Sequence, residues 1–203
     1  DEAARKLALL ASVHLATGQP RKAVTAADQA LQASQQDYVL FAAGQVLADA
    51  GEAKRALAIA DELDRQVAAE SRSYAEMIRG ALSLKKGAAA EAVGHYRASL
   101  KLVDSWLGHL GLARAYVEAG SFNEALEEAE RLEKRRGEAT DVFLDVVPTV
   151  RHMPLASYLA GRAREGLKDP KAAESYQAFL ATKQGAEDPL AADAARRLAK
   201  LGK

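Results

Sequence analysis

Small and apolar residues recur along this chain at spacings of three and four, in stretches of about a dozen residues that close on a glycine. Between His109 and Arg136, the run HLGLARAYVEAGSFNEALEEAERLEKRR puts Leu112, Ala113 and Tyr116 on one stripe. It breaks at Gly120 and resumes with Phe122, Ala125, Leu126, Ala129 and Leu132. That spacing predicts two amphipathic helices joined by a tight turn. Gly120 stands where a helix C-cap needs a positive φ, and Ser121 or Asn123 is placed to accept backbone N–H groups at the start of the second helix. Ala125 marks the point where the two helices cross closely.

The same figure occurs three times before it. Leu7, Leu10, Ala11 and His14 lead to Gly18, and Ala23, Val24, Ala27, Ala30 and Leu31 follow Pro20. Leu40, Ala43, Gly44 and Leu47 lead to Gly51, with Ala56, Leu57, Ala60 and Leu63 beyond it. Tyr74, Met77, Ile78, Gly80 and Leu84 lead to Gly87, with Ala92, Val93, Tyr96, Ser99 and Leu100 beyond. The four turn glycines are separated by 33, 36 and 33 residues, a period that speaks for a repeat array over an irregular bundle. The rhythm lapses after Arg136. GEATDVFLDVVPTVRHMP holds Gly137, Pro148, Pro154 and a β-branched apolar middle, which predicts an ordered connection or a proline-interrupted helix, too apolar for a free linker. Leu155, Tyr158, Leu159, Gly161 and Ala163, then Ala172, Ala173, Tyr176, Phe179 and Leu180, predict a fifth hairpin turning between Gly166 and Pro170. Asp188 and Pro189 open a last helix, with Leu190, Ala194, Leu198 and Leu201 apolar and Arg196, Arg197 and Lys200 toward its negative end.

The expected fold is all-α, a single solenoid over residues 1–203 with hairpins at about 4–34, 37–67, 72–103, 106–136 and 154–183. Residues 137–153 connect the fourth hairpin to the fifth, and 189–201 form a helix that covers the otherwise bare end of the stack. Composition agrees: 46 of 203 residues are Ala and aromatics make up 5%, which favours helices packed closely through small side chains.

At the small position of the first helix stand Ala11, Gly44, Gly80 and Ala113, and at that of the second stand Ala23, Ala56, Ala92 and Ala125. These positions and the period resemble the tetratricopeptide repeat (TPR), which implies a right-handed superhelical stack used for protein–protein interaction or scaffolding. The large tyrosine usual in the first helix appears as Tyr116, with His14, Leu47 and Ser83 at the equivalent places. A narrower resemblance lies in KRRGEAT, DVVPT, GRAREGLKDPKAAESYQAFLA and DPLAADAARRLA. These segments look like the closing part of the TPR regions that follow the catalytic domains of bacterial serine/threonine kinases and of cyclase-like or TolB-like signalling proteins. The resemblance implies a C-terminal module of a larger signalling chain. The chain opens DEAARKLALL, with neither an initiator Met nor a signal-peptide pattern, and so reads as a soluble piece of something longer, cytoplasmic or periplasmic.

No enzyme is expected, and no catalytic residue, cofactor or metal ligand set is found. Cysteine is absent, which removes thiolate chemistry and disulfides. Phosphate-loop, nucleophile-elbow, HExxH and EF-hand patterns are absent as well. The four histidines, His14, His95, His109 and His152, fall on separate elements. Net charge is zero and no 18-residue apolar run occurs, so neither nucleic acid nor membrane insertion is expected. The basic cluster Arg131, Lys134, Arg135 and Arg136 alternates with Glu127, Glu130 and Glu133 and reads as a solvated helix end.

The resemblance directs attention to the inner face of the first helices. Carried over position by position, that face holds Tyr38, Phe41 and Gln45, then Tyr74, Met77 and Leu84, then Leu110, Arg114 and Val117, then Tyr158 and Arg162. The lysine and asparagine clamp with which some co-chaperone repeats hold a peptide C-terminus does not match, because Ala8, Phe41, Met77 and Leu110 occupy its places. The expected partner is a protein, a peptide or another part of the parent chain. Tyr38, Phe41, Gln45, Tyr74, Met77, Leu110, Arg114, Tyr158 and Arg162 form the candidate partner-binding groove, unless the apolar members are core between repeats. A self-associating arm and a small-ligand groove are the alternatives, and the oligomeric state stays open.

Overall fold

The structure, a computed structural model, describes residues 2–138, 150–182 and 188–202. The middle of the connection expected at 137–153 lies outside the described residues. Among those described, every regular element is helical: α1 (Glu2–Ala16), α2 (Pro20–Ala33), α3 (Asp37–Ala50), α4 (Ala53–Asp64), α5 (Ala69–Lys85), α6 (Ala89–Leu102), α7 (Trp106–Ala119), α8 (Phe122–Lys134), α9 (Pro154–Gly166), α10 (Ala172–Ala181) and α11 (Pro189–Leu201). Short 3₁₀ turns at Arg136–Glu138 and Val150–His152 flank the connection.

The turns are chemically alike. Gly18, Gly51, Gly87 and Gly120 all take positive φ, and in each the N–H of the next residue reaches back across the helix end, as Ser121 N does to Tyr116 O at 2.9 Å. The fifth turn keeps this geometry without glycine. Lys168 sits at φ 57°, and Asp169 N donates to Arg164 O at 2.8 Å. Gly166, the first residue of the turn expected between Gly166 and Pro170, is the last residue of α9, and a Cβ there would run into the Phe122 ring. The Ser121 side chain makes no cap bond either, and α8 begins on the backbone bond from Ala125 N to Ser121 O at 3.0 Å. Side-chain capping occurs at Ser105, which accepts from Gly108 N at 3.1 Å, and at Asp188, which accepts from Leu190 N at 2.8 Å.

Each second helix packs between the first helix of its own hairpin and that of the next. The first helices also pack on one another in the order α1, α3, α5, α7, α9. That asymmetry curves a stack toward its first helices, giving a right-handed superhelix with an inner layer of α1, α3, α5, α7 and α9. α9 lies on both α7 and α8, so the fifth hairpin continues the stack, and α11 closes it against α10.

Buried contacts inside the hairpins follow residue size. The first is held by alanines: Ala4, Ala8, Ala11, Ala23, Ala26, Ala27 and Ala30 are all buried. Farther along, glycine on a first helix admits a large side chain. Tyr96 of α6 lies so close to Gly80 that a Cβ there would sit 2.8 Å from its ring, and its other edge faces Gly111 of α7. Tyr176 of α10 stands against Gly161 in the same way, at 2.7 Å. Trp106 starts α7 fully buried, and its indole N–H donates to Leu132 O at 3.1 Å, tying the start of α7 to the end of α8.

One pair of facing positions inside the hairpins changes chemistry from repeat to repeat. Leu40 and Ile59 occupy it in the second hairpin, both apolar and buried. One repeat on, the pair is Glu76 and His95, 2.8 Å apart, and in the next it is inverted to His109 and Glu128, 2.6 Å apart. His109 is 8% exposed, and its second ring nitrogen meets Asp104 at 2.8 Å. Burying such groups is tolerated only because each finds its partner inside the same hairpin.

Candidate functional site

The inner face is built from one stripe of each first helix, and the structure divides the nine candidate residues. Phe41, Met77, Leu110 and Tyr158 are 4, 2, 5 and 5% exposed, so the apolar part of the expected track is buried and does not stand free. Tyr158 packs on Tyr176 and Phe179 of its own hairpin, whereas Phe41 is covered by the close approach of successive first helices. Phe41 of α3 stacks on Tyr74 of α5 with ring centroids 4.3 Å apart and planes 15° from parallel. Tyr38, Tyr74 and Gln45 are half-buried, Arg162 is half-buried, and Arg114 is exposed.

The accessible groups form two sets. Around α3 and α5, Tyr38 and Tyr74 are half-buried, Tyr74 lying face to face on Phe41, and the Ser71 hydroxyl donates to Asp37. Burial raises the Tyr74 phenol above its ordinary value, and the charges of Glu70 and Asp37 add to the rise. Asp49, four residues beyond Gln45 on the same stripe, completes this set. Burial raises its carboxyl, against the opposing charges of Arg114 and Lys85. Asp49 is not among the residues that the sequence singles out. Its i, i+4 spacing from Gln45 is the signal that would have found it.

The second set lies at the C-terminal end and is tied up internally. Arg162 reaches Glu118 at 3.4 Å and the Tyr158 hydroxyl at 3.4 Å. Tyr158 donates its O–H to Asp193 of α11 at 2.7 Å, Arg197 bonds Asp193 at 2.6 Å and Glu165 at 3.0 Å, and Tyr176 donates to Glu165 at 2.5 Å. Tyr158 therefore fastens the cap, and Arg162 ties Tyr158 to Glu118 of α7. The apolar contact of α11 runs through Ala191, Ala194 and Leu198, while Leu190 and Leu201 of the expected stripe are 37 and 42% exposed.

This network has a pH signature. Burial pushes the Asp193 carboxyl up, but the bonds from Arg197 and Tyr158 outweigh it and bring it from 3.8 to about 2. A carboxyl depressed on folding stabilises the fold fully above its unfolded value, and the contribution is lost as pH falls through the folded one. The docking of α11 is thus expected to be at full strength above pH ~4 and to weaken progressively toward pH ~2. Asp193→Asn should weaken it at neutral pH and flatten its acid dependence. Hydrogen exchange of α11 amides across that range checks this, and an unchanged acid profile in the variant contradicts it.

Among the described residues, no group of three or more His, Asp or Glu side chains is placed to hold a metal, and no helix is long and apolar enough to cross a membrane. The cations near Arg135 are paired: Arg135 bonds Asp104 at 2.7 Å and Glu138 at 2.6 Å, and Arg131 meets Glu128 at 3.5 Å.

No family model and no curated protein matches the sequence. Solved structures do match the fold. Human IFIT1, solved as a dimer with PPP-AAAA, superposes with a TM-score of 0.64 at 19% identity, over 98% of this chain and 45% of that one. TTC0263, a thermophilic TPR protein of Thermus thermophilus, gives 0.62 at 16% identity over 98% of both chains. MamA gives 0.49 at 16% identity over 93% of this chain and 99% of that one. The chain thus spans less than half the length of the IFIT1 structure but nearly all of TTC0263. At these identities the likeness establishes a TPR-like fold and nothing more.

Proposed function

We propose that this chain is a non-enzymatic protein-interaction module that holds a peptide segment or partner helix along the inner face between Tyr38 and Arg114. One observation carries the reading. On a face whose floor of Phe41, Met77 and Leu110 is buried, Tyr38 and Tyr74 stay half-buried and Arg114 is exposed. A rigid floor with a few amphipathic contacts suits recognition of another chain, because aromatic and arginine side chains contribute binding energy at low entropic cost. Tyr38 and Tyr74 supply the apolar contact, and Arg114 with Lys85 takes a carboxylate of the partner. Arg162, held by Glu118 and Tyr158, plays the lesser part. The likeness of the second half to the TPR regions of bacterial signalling proteins supports placing the module in a larger signalling chain.

Selection of binders from a displayed random-peptide library tests the surface. Peptides that bind the native chain are expected to lose about thirtyfold in affinity to Tyr38→Ala with Arg114→Glu, the equivalent of a ~2 kcal/mol anchor, while the melting temperature stays within about 2 °C. Peptides indifferent to these changes but lost to Glu127→Lys on α8 would place the interaction on the outer side. Release of a dimer by the same inner-face variants would favour a self-associating arm.

A further inference from the structure

The two ends of the stack are finished differently. α11 covers the last hairpin, whereas Leu9, Leu10 and Val13 of α1 are 37, 44 and 47% exposed, and Leu10 lines an open hollow between α1 and α2 together with His14, Lys22 and Ala26. Most of the equivalent positions are closed in the later first helices, the half-buried Ala42 of α3 and Arg79 of α5 being the exceptions. In α3, Ala43 and Val46 are 0 and 3% exposed; in α5, Ile78 and Leu82 are 0 and 6%; in α7, Leu112 and Ala115 are 4 and 0%; in α9, Leu159, Ala160 and Ala163 are 4, 7 and 0%. What covers them each time is the second helix of the preceding hairpin. A finished end of a repeat stack is polar, and this one is not.

The charges follow the same register. At one position of the second helices stand Asp28, Asp61, Arg97 and Glu130, and each reaches into the next hairpin. Asp28 pairs with Arg55, Asp61 with Arg79 at 3.0 Å, Arg97 with the Tyr116 hydroxyl at 2.7 Å, and Glu130 with Arg164 at 3.6 Å. On the first hairpin, Lys22 is the equivalent of Arg55, and His14 is the equivalent of both Tyr116 and Arg164. Among the described residues neither Lys22 nor His14 takes part in an ion pair, and Lys22 is exposed.

We infer that the α1–α2 face is a docking surface for a further hairpin of the same repeat type, in series with this chain. Its second helix lies against Leu9, Leu10 and Val13 through small apolar residues and presents an acid to Lys22 and His14. Interface continuity and charge complementarity both select this occupant. A second copy of the chain does not supply it, because α2, α4, α6 and α8 are each covered by the next hairpin and α10 by α11.

A chain carrying an extra copy of residues 37–68 joined ahead of Glu2 tests this, since α4 already presents Ile59, Ala60 and Asp61 in the required register. The extended chain is expected to stay monomeric in light scattering and to melt roughly 5 °C or more above the original. Leu10→Asp should remove that gain yet shift the original chain by no more than about 1 °C, because Leu10 is already half open there. Lys22→Glu, a surface change that does not threaten folding, should lower the extended chain alone. Equal melting of extended and original chains overturns the inference. So does an equal response of both chains to Leu10→Asp, or a dimer of the original chain that Leu10→Asp dissociates, which would make a second copy the occupant.

Discussion

Gly111→Val is expected to destabilise the chain by about 3 kcal/mol, at the upper end of what overpacking of a close contact costs. In most helix interiors the replacement of Gly by a larger residue gains a few tenths of a kcal/mol or more in propensity. Here the Tyr96 ring lies where the new Cβ must go, and it has no room to retreat because Gly80 is packed against its opposite side. Tyr96 is 3% exposed, and burial pushes its phenol up to about 12, both signs of a ring enclosed between α5 and α7. The added side chain therefore separates the third hairpin from the fourth. Thermal and urea melts of Gly111→Val measure the loss. Adding Tyr96→Leu should recover part of it by vacating the contact, and an unchanged melt in the single variant would show that the two helices are farther apart than the structure places them.

Removing residues 188–203 should have the other large effect. Tyr158, Tyr176 and Phe179 lose their cover, and each large side chain returned to water forfeits about 1.5–3 kcal/mol. Tyr158 packs on Tyr176 and Phe179 at centroid distances of 6.2 and 5.2 Å, so the three rings are exposed as one patch. Glu165 simultaneously loses Arg197, one of the two bonds that offset its burial and keep its carboxyl low. The truncated chain is expected to aggregate, with loss of helical signal from α9 and α10. Light scattering and circular dichroism read this directly, and a monomer with the remaining helices intact would show that α11 is an appendage.

The sequence by itself determined the class of fold, because helix period and turn chemistry are local. The spacing of Leu112, Ala113 and Tyr116, the stop at Gly120 and the resumption at Ala125 need no distant partner to be read, and the likeness to TTC0263 agrees with an all-α repeat stack. Turn geometry was legible wherever glycine supplied it, and escaped at Lys168, where the surrounding helices impose positive φ on a residue that resists it. Which face is binding surface and which is core was decided only in three dimensions. Phe41, Met77, Leu110 and Tyr158 share a stripe with Tyr38, Gln45 and Arg114, and periodicity assigns them all to one side of a helix. How far each is buried depends on the distance between neighbouring helices, which between α5 and α7 is set by Gly80, Gly111 and the Tyr96 ring they admit. The same holds for charge. Local spacing set the Arg135 cluster against acids of its own helix and placed Arg197 at a helix end, whereas the tertiary structure joins Arg135 to Asp104 and Arg197 to Glu165, because such pairs depend on the stacking register and not on sequence separation.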